Sequence, residues 1–360
     1  MKKSLLEGLP VSSENETDHE YRGRLEMPKV SKFKVVNLNL RDDLNVEREI
    51  LEKIDCEVTQ GSGKTSEDII QTANDAHALI GGGQPINRAV LGALERLRIV
   101  SLIGVGYDTV DIAAATEMGI LVTHVPDLIT DIVADHAIAL ILSLIRRVPQ
   151  GDRLVKKNAW QSTMPRWAKP VPRLRGLTVG IIGLGRTGRN AASKLKAFGV
   201  RVIAYDPYVK SEASSEVTLV QSLEELLRQS DVISIHVFLS SETKHMIGKR
   251  ELQCMKRGSF LVNTSRGAAI DEGALFEALD QEWISGAALD VMEKEPPDQN
   301  NPLLTLENII ITPHVAYYSD ESLVDQRKRT ADEITRMFQG LPPLHPVNPQ
   351  VLSHLRKQLT

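Results

Sequence analysis

Three polar side chains in the second half of the sequence have types that suit anion binding and proton transfer. Arg266, Glu295 and His314 each lie at or near the end of a short apolar run that is typical of a buried strand. A guanidinium binds carboxylates through paired hydrogen bonds, and an imidazole beside a carboxylate exchanges protons near neutral pH. Because ligands bind at the carboxyl ends of parallel strands, we expect the three side chains to converge on one ligand.

A glycine cluster in the middle of the chain predicts a dinucleotide site. Gly183, Gly185 and Gly188 follow an apolar strand directly and open a helical pattern. The first glycine permits a tight turn, the second lets the backbone approach a pyrophosphate, and the third lets the helix pack on its strand. The N-terminus of that helix, with Arg186 and Thr187, would face the phosphates with unpaired amides.

Asp206 extends the prediction from a phosphate site to a particular dinucleotide. It ends the next apolar strand, 18 residues after Gly188, which is close to the spacing of an acid that binds the ribose. Its carboxylate can accept hydrogen bonds from both ribose hydroxyls and would repel a 2′-phosphate. Pro207 and Tyr208 follow it, rather than an arginine. We therefore expect NAD as the cofactor in preference to NADP.

Strands and helices alternate along the chain from Phe33 onward. One β-rich series runs to residue 103, and a second runs from Leu177 to residue 312. Strict alternation predicts parallel sheets with helices on both faces, so the expected fold class is α/β with two doubly wound parallel-sheet domains. A long helical pattern over 131–157, broken near Pro149, lies between the two series, and a last helix is predicted over 320–338.

Composition and charge exclude several other classes of protein. The 360 residues are 42% hydrophobic and 25% charged, which favours a globular chain of two domains. A formal net charge of −4 leaves no basic excess for nucleic acid or an anionic membrane. Two cysteines without metal or disulfide spacing indicate a reduced setting and no metal site. With no signal peptide and no spanning segment, we expect a soluble, cytoplasmic protein.

Four motifs in order resemble those of the D-isomer-specific 2-hydroxyacid dehydrogenases, from about Phe33 to Val351. They are the glycine cluster, Asn-Thr-Ser-Arg-Gly, Ala-Leu-Asp-Val followed by Glu-Pro, and Thr-Pro-His. Residues 205–208 and 314–319 are most similar to the C-terminal-binding-protein branch. The resemblance implies a Rossmann cofactor domain, residues 128–314, inserted into a flavodoxin-like substrate domain. That substrate domain comprises residues 31–127 and 315–360, and residues 1–30 are expected to be a flexible extension.

The resemblance also implies a role for each candidate residue. Arg266 binds the substrate carboxylate and polarises its carbonyl, His314 is the general acid and base, and Glu295 is the partner of His314. Asp290 holds the nicotinamide carboxamide, and Thr264 lies on the same cofactor side. The expected substrate-side residues are Gly82, Gly83, Val105, Gly106 and Tyr317. Backbone amides of residues 81–83 form an anion-binding nest there, and for Tyr317 ordinary packing is an equal alternative.

The activity implied is hydride transfer between NAD and C2 of a small D-2-hydroxy or 2-keto acid, by a homodimer formed through the helix after Asp131. One alternative is an NAD(H)-sensing corepressor with a dehydrogenase fold. Animal corepressors carry arginine where Leu102 stands, which disfavours it. Another is a phosphoglycerate dehydrogenase without a regulatory domain. Formate dehydrogenases have glutamine at the place of Glu295, so formate is disfavoured. The sequence leaves the particular substrate and the preferred direction open.

Overall fold

The structure is a computed structural model that describes residues 33–39, 43–160, 171–209 and 217–356. The predicted N-terminal extension, residues 1–30, lies outside the described residues. The strands are β1 (Phe33–Asn37), β2 (Cys56–Gln60), β3 (Ala78–Gly81), β4 (Ile99–Leu102), β5 (Leu121–Thr123), β6 (Thr178–Ile182), β7 (Arg201–Tyr205), β8 (Thr218–Leu219), β9 (Val232–Ile235), β10 (Phe260–Asn263), β11 (Gly286–Leu289) and β12 (Ile309–Ile311). The helices are α1 (Asn45–Leu51), α2 (Ser66–Thr72), α3 (Arg88–Ala93), α4 (Ile112–Glu117), α5 (Thr130–Arg146), α6 (Val148–Lys156), α7 (Arg186–Lys196), α8 (Leu223–Gln229), α9 (Lys249–Cys254), α10 (Glu272–Asp280) and α11 (Asp320–Phe338).

The first five strands form one parallel sheet in the order β2-β1-β3-β4-β5. This is the flavodoxin-like order. Strands β3, β4 and β5 are buried throughout, because helices cover both faces of a parallel sheet. Helix α11 returns from the end of the chain to this sheet, where Ser101 Oγ donates a hydrogen bond to the Thr330 carbonyl at 3.1 Å.

The other seven strands form a second parallel sheet in the order β12-β11-β10-β9-β6-β7-β8. Read from β8, six of them follow the Rossmann order, and β12 extends the sheet by one strand. The order reverses between β6 and β9, and ligands bind outside the carboxyl ends of strands at such a switch point. The predicted fold class, with two doubly wound parallel sheets, is confirmed.

The predicted break in the long helix is misplaced by two residues. Helix α5 ends at Arg146, Arg147 takes a left-handed conformation with φ of 52°, and α6 begins at Val148. Pro149 lies in the first turn of α6, where a backbone N–H has no helical partner and proline is tolerated. The left-handed residue therefore ends the first helix. The predicted last helix is confirmed at Asp320–Phe338.

A buried ion pair fixes α11 against α1. Arg327 Nε and Nη2 lie 2.8 and 2.5 Å from the two carboxylate oxygens of Glu47, and Glu47 is fully buried. Asn37 donates a further hydrogen bond to Glu47 Oε1 at 3.4 Å. The last helix is thereby fixed to the first described helix.

Among the described helices, none combines the length and the apolar character that a membrane-spanning helix needs.

We predict that Glu47→Gln lowers the free energy of unfolding by about 3 kcal/mol, because Arg327 then keeps only the half-exposed Asp43, at 3.3 Å, as a counter-charge. Chemical denaturation measures the change. The double variant Glu47→Leu with Arg327→Met should lose less, since no buried charge remains. Glu117→Gln, which breaks the exposed pair between Arg88 and Glu117, is the control and should change stability little. A larger loss for the double variant than for Glu47→Gln would contradict the explanation.

Candidate active site

A cavity of about 700 Å³ lies between the carboxyl ends of the two sheets. One wall comes from the loops after β3 and β4, and the other comes from the loops after β10, β11 and β12. All of the predicted catalytic and substrate-side residues, and three of the predicted cofactor residues, contribute to it: Arg266, Glu295, His314, Gly82, Gly83, Val105, Gly106, Tyr317, Thr187, Thr264 and Asp290. The residues predicted from widely separated motifs therefore meet in one cleft.

His314 and Glu295 form a hydrogen-bonded pair in this cleft. His314 Nδ1 lies 2.6 Å from Glu295 Oε2, and Glu295 Oε1 accepts a hydrogen bond from the Met292 amide at 3.0 Å. Because Nδ1 of His314 is engaged by the carboxylate, Nε2 remains to exchange a proton with a ligand. Glu295 is thus held on one side by backbone and on the other by the imidazole.

The pair shifts both pKa values toward the charged forms. The hydrogen bond to Glu295 raises the pKa of His314, against the opposing effects of burial and of the Arg266 charge. For Glu295, burial alone would raise the pKa, but the hydrogen bonds from His314 and from the Met292 amide bring it below its ordinary value. The imidazolium therefore persists to higher pH than in a free histidine.

Asp290 holds the loop that carries His314. Its carboxylate is almost fully buried and accepts hydrogen bonds from the amides of Val315 at 3.0 Å and Ala316 at 2.8 Å, and from Thr312 Oγ1 at 2.5 Å. His314 itself has a positive φ of 51°, a conformation that costs a non-glycine residue about 1 to 3 kcal/mol. The side-chain bonds of Asp290 offset that cost and fix the imidazole.

The His314 loop donates three hydrogen bonds to the Asp290 carboxylate. Asp290 therefore positions this loop, and its predicted contact with the nicotinamide carboxamide stays a prediction. His136, on α5, joins the same network, with Nε2 at 3.1 Å from Thr312 Oγ1 and 3.5 Å from Asp290 Oδ1. His136 was not among the predicted site residues, because nothing in the local sequence of α5 signals a contact with a loop so distant along the chain.

Arg266 reaches across the cleft to the first sheet. Its Nε lies 3.0 and 3.2 Å from the two carboxylate oxygens of Asp108, and its Nη1 donates to the Ser265 carbonyl at 2.8 Å. A Cβ on Gly106 would stand 1.8 Å from Nη2 of Arg266, so a larger residue there would force the guanidinium out of its present position. Asp108 was not among the predicted site residues, although it follows Val105 and Gly106 of the predicted substrate loop by only two residues.

The other predicted substrate-side residues differ in whether their polar groups already have a partner within the protein. The Gly82 amide donates to Gln84 Oε1 at 2.5 Å, so one amide of the expected nest is engaged by a side chain. Gly83 has a φ of +96°, and a Cβ there would face open space. The Val105 carbonyl lies 2.8 Å from His124 Nδ1. Tyr317 both lines the cavity and packs edge-to-face on His314, with ring centroids 6.2 Å apart.

The glycine turn after β6 fits a dinucleotide. A Cβ on Gly183 would stand 2.5 Å from the His236 carbonyl oxygen, and one on Gly188 would stand 2.0 Å from the Gly183 carbonyl oxygen. Nothing lies within 4 Å of the corresponding position on Gly185, which leaves the turn open where a pyrophosphate would approach. Helix α7 begins at Arg186 and presents its N-terminus there.

Two further polar groups support the same interpretation. Asp206 Oδ2 accepts from the Leu184 amide at 2.8 Å, and Oδ1 accepts from the Tyr208 amide at 2.9 Å. This places the carboxylate beside the glycine turn with lone pairs left for hydroxyl donors. Thr264 Oγ1 is buried in the cavity wall without a hydrogen-bond partner, which a bound ligand would supply. The described residues include no cluster of three or more His, Cys, Asp or Glu side chains that could hold a metal.

We predict that Gly106→Ala reduces NADH oxidation with a 2-keto acid by about 10²-fold, because the new methyl group displaces the Arg266 guanidinium. NADH affinity should change much less than turnover, since Gly106 lies in the loop after β4 of the other sheet. Gly92→Ala, in helix α3 with its nearest atom at 3.8 Å, is the matched control. Steady-state kinetics and NADH fluorescence titration measure both variants. Normal turnover in Gly106→Ala would show that Arg266 is not needed where the structure places it.

We predict that Asp206→Asn, which keeps an acceptor but removes the charge, raises the ratio of NADPH to NADH efficiency by at least about tenfold, or 1.4 kcal/mol. Asp206→Ala should also lower NADH affinity, because it loses the ribose acceptor. The values of kcat/KM with each cofactor give the ratio. A ratio that stays at the wild-type value in both variants would place the ribose contact on another residue.

Comparison with known proteins agrees with the geometry of the cleft. The family model described as "D-isomer specific 2-hydroxyacid dehydrogenase, NAD binding domain" matches residues 138–316. Among solved structures, a D-lactate dehydrogenase from Aquifex aeolicus complexed with NAD and lactic acid is 32% identical. It covers 85% of this chain and 96% of its own, with a TM-score of 0.77. A glyoxylate/hydroxypyruvate reductase from Sinorhizobium meliloti is 28% identical, covers 92% and 100%, and has a TM-score of 0.81.

Curated relatives of this chain include glyoxylate reductases and D-3-phosphoglycerate dehydrogenases. A glyoxylate reductase from Korarchaeum cryptofilum is 40% identical over 79% of this chain and 86% of its own. A D-3-phosphoglycerate dehydrogenase from Archaeoglobus fulgidus is 40% identical over 81% of this chain, but this chain spans only 55% of the length of that relative. The prediction of an NAD-binding domain is confirmed. The chain belongs to the D-isomer-specific 2-hydroxyacid dehydrogenase family.

Proposed function

We propose that this protein is an NAD-dependent dehydrogenase that interconverts small 2-keto acids and D-2-hydroxy acids. The observation that carries the proposal is the hydrogen-bonded pair of His314 and Glu295 in the same cleft as Arg266. The glycine turn after β6 opens at that cleft, and the one guanidinium among the described lining residues suits a carboxylate. Family membership supports the same reaction class.

The residues of this chain divide the reaction between them. When bound, NADH would supply the hydride for C2 of the keto acid. Arg266 binds the substrate carboxylate and polarises the carbonyl, and His314 Nε2 donates a proton to the carbonyl oxygen as it becomes a hydroxyl. Glu295 stabilises the imidazolium before the transfer. In the oxidative direction His314 takes the hydroxyl proton back, so one hydride and one proton move in each direction.

The cofactor would be held by the elements around the glycine turn. Gly183, Gly185 and the N-terminus of α7 suit the pyrophosphate, and Asp206 suits the adenosine ribose. Thr264, with its unpartnered hydroxyl, and Asp290 lie on the side where the nicotinamide would enter the cavity.

We further propose the domain division at residues 127/128 and 314/315, and assembly as a homodimer through α5. The division is supported by the packing of α11 on β4 of the first sheet, which returns the end of the chain to that unit. Both connections then run beside the cleft, at the two places where a hinge would close the site and exclude water. Size measurement by light scattering tests the dimer.

The direct test is NADH oxidation with a panel of glyoxylate, pyruvate and hydroxypyruvate. We expect turnover in the wild type, and about 10²- to 10⁴-fold less in His314→Ala, because the proton donor is lost. Arg266→Ala should be similarly impaired, and both variants should keep most of their NADH affinity. NADH binding without turnover of any 2-keto acid would contradict the enzyme and favour an NAD(H)-sensing binding protein.

The pH dependence of reduction reports the His314–Glu295 pair. Reduction needs the imidazolium, so kcat/KM for the keto acid should fall as pH rises through the raised pKa of His314. In Glu295→Gln the hydrogen bond to a charged partner is lost, and the fall should move to lower pH. Oxidation of the hydroxy acid needs the neutral imidazole, so its kcat/KM should rise with pH through the same pKa. In Glu295→Gln this rise should also move to lower pH. Identical profiles for wild type and Glu295→Gln would show that this carboxylate does not set the pKa of the group that transfers the proton.

A further inference from the structure

Asp108 lies on the first-sheet side of the cleft and contacts Arg266 on the opposite side. Both carboxylate oxygens approach Arg266 Nε, at 3.0 and 3.2 Å, and about a quarter of the arginine side chain is exposed. The described residues that line the cavity contain no other lysine or arginine. Asp108 therefore contacts the one guanidinium among the described lining residues, and this group can bind a substrate carboxylate.

The contacts of Arg266 determine which of its edges is free. A guanidinium carries five N–H donors in one plane. The Nε donor faces Asp108, and an Nη1 donor is used by the Ser265 carbonyl. Three donors remain, one on Nη1 and two on Nη2, and a fork made of one donor from each nitrogen matches the two oxygens of a carboxylate or of a 2-keto acid. Asp108 thus fixes the rotation of the guanidinium about its long axis.

The two partners belong to different sheets. Asp108 lies in the loop after β4, whereas Arg266 lies in the loop after β10. Their contact exists only while these loops face each other at hydrogen-bonding distance. A cleft that opened would separate them and free the long arginine side chain, which has many rotamers. Orientation of Arg266 is therefore coupled to the distance between the two walls.

We propose that Asp108 is a positioning residue that presents the Nη1–Nη2 edge of Arg266 to the substrate when the cleft is closed. This inference rests on the proposed function. Positioning and simple charge neutralisation predict opposite effects of Asp108 removal on substrate binding. A carboxylate that only offset the arginine charge would weaken anion binding. Its removal would then strengthen binding of an anionic substrate, whereas loss of a positioning contact weakens it.

Asp108→Ala and Asp108→Asn test the proposal in the full-length chain. We expect Asp108→Ala to lower kcat/KM for the keto acid by about 10²-fold, because the guanidinium is no longer aligned. Binding of oxamate, an unreactive keto acid analogue, to the NADH-saturated protein should weaken in parallel, with NADH affinity unchanged. Asp108→Asn keeps an acceptor and should retain part of the activity. Asp111→Asn is the control, since it removes a charge from the same loop and keeps the cap on Ala114 N of α4.

The same Asp108 substitution in an Arg266→Lys variant distinguishes a positioning role from a role in folding. In Arg266→Lys the ammonium has no edge to orient, so adding Asp108→Ala should cost much less than it does in the wild type. Tighter oxamate binding in both Asp108 variants would overturn the proposal in favour of charge neutralisation. Parallel losses of NADH affinity and stability would overturn it in favour of a structural role. A wild type that reduces no keto acid contradicts the proposed function instead, and the oxamate titration still tests Asp108.

Discussion

The hydrogen bond between His314 Nδ1 and Glu295 Oε2, at 2.6 Å, is the interaction on which the chemistry of this cleft depends. It leaves Nε2 to face the ligand and raises the pKa of the imidazole. The geometry of that bond rests in turn on Asp290, whose buried carboxylate holds the backbone of the His314 loop in a left-handed conformation. One carboxylate thus sets the charge of the histidine and another sets its position.

Parallel-sheet topology explains why these groups meet. Each of the loops after β10, β11 and β12 begins at the carboxyl edge of the second sheet, and the loops after β3 and β4 begin at that edge of the first sheet. The two edges face each other across the cavity, so residues more than two hundred positions apart become neighbours. Arg266 and Asp108 provide the direct contact between the two walls. Movement of either wall would therefore alter the orientation of the Arg266 side chain.

Features with local causes were predictable from the sequence. The glycines at 183, 185 and 188 follow from turn and packing geometry, and the strands follow from short apolar runs between breakers. Contacts made across the fold were not predictable in this way. His136 contacts the Thr312 loop from a distant helix, and Gly106 lies against a guanidinium from the other sheet. The bond between the Gly82 amide and Gln84 is local, but no spacing rule specifies this side-chain contact. The helix break was predicted near Pro149 but lies at Arg147. Proline is tolerated in the first turn of a helix, so Pro149 begins α6 instead of ending α5.

A crystal structure of the protein with NADH and oxamate would test the central claim most directly. The predicted result has the oxamate carboxylate on the Nη1–Nη2 edge of Arg266 and its carbonyl oxygen about 2.6 to 3.2 Å from His314 Nε2. The bond between His314 and Glu295 should remain intact in that complex. Oxamate bound away from the two side chains, or a His314 ring turned so that Glu295 is released, would contradict the account.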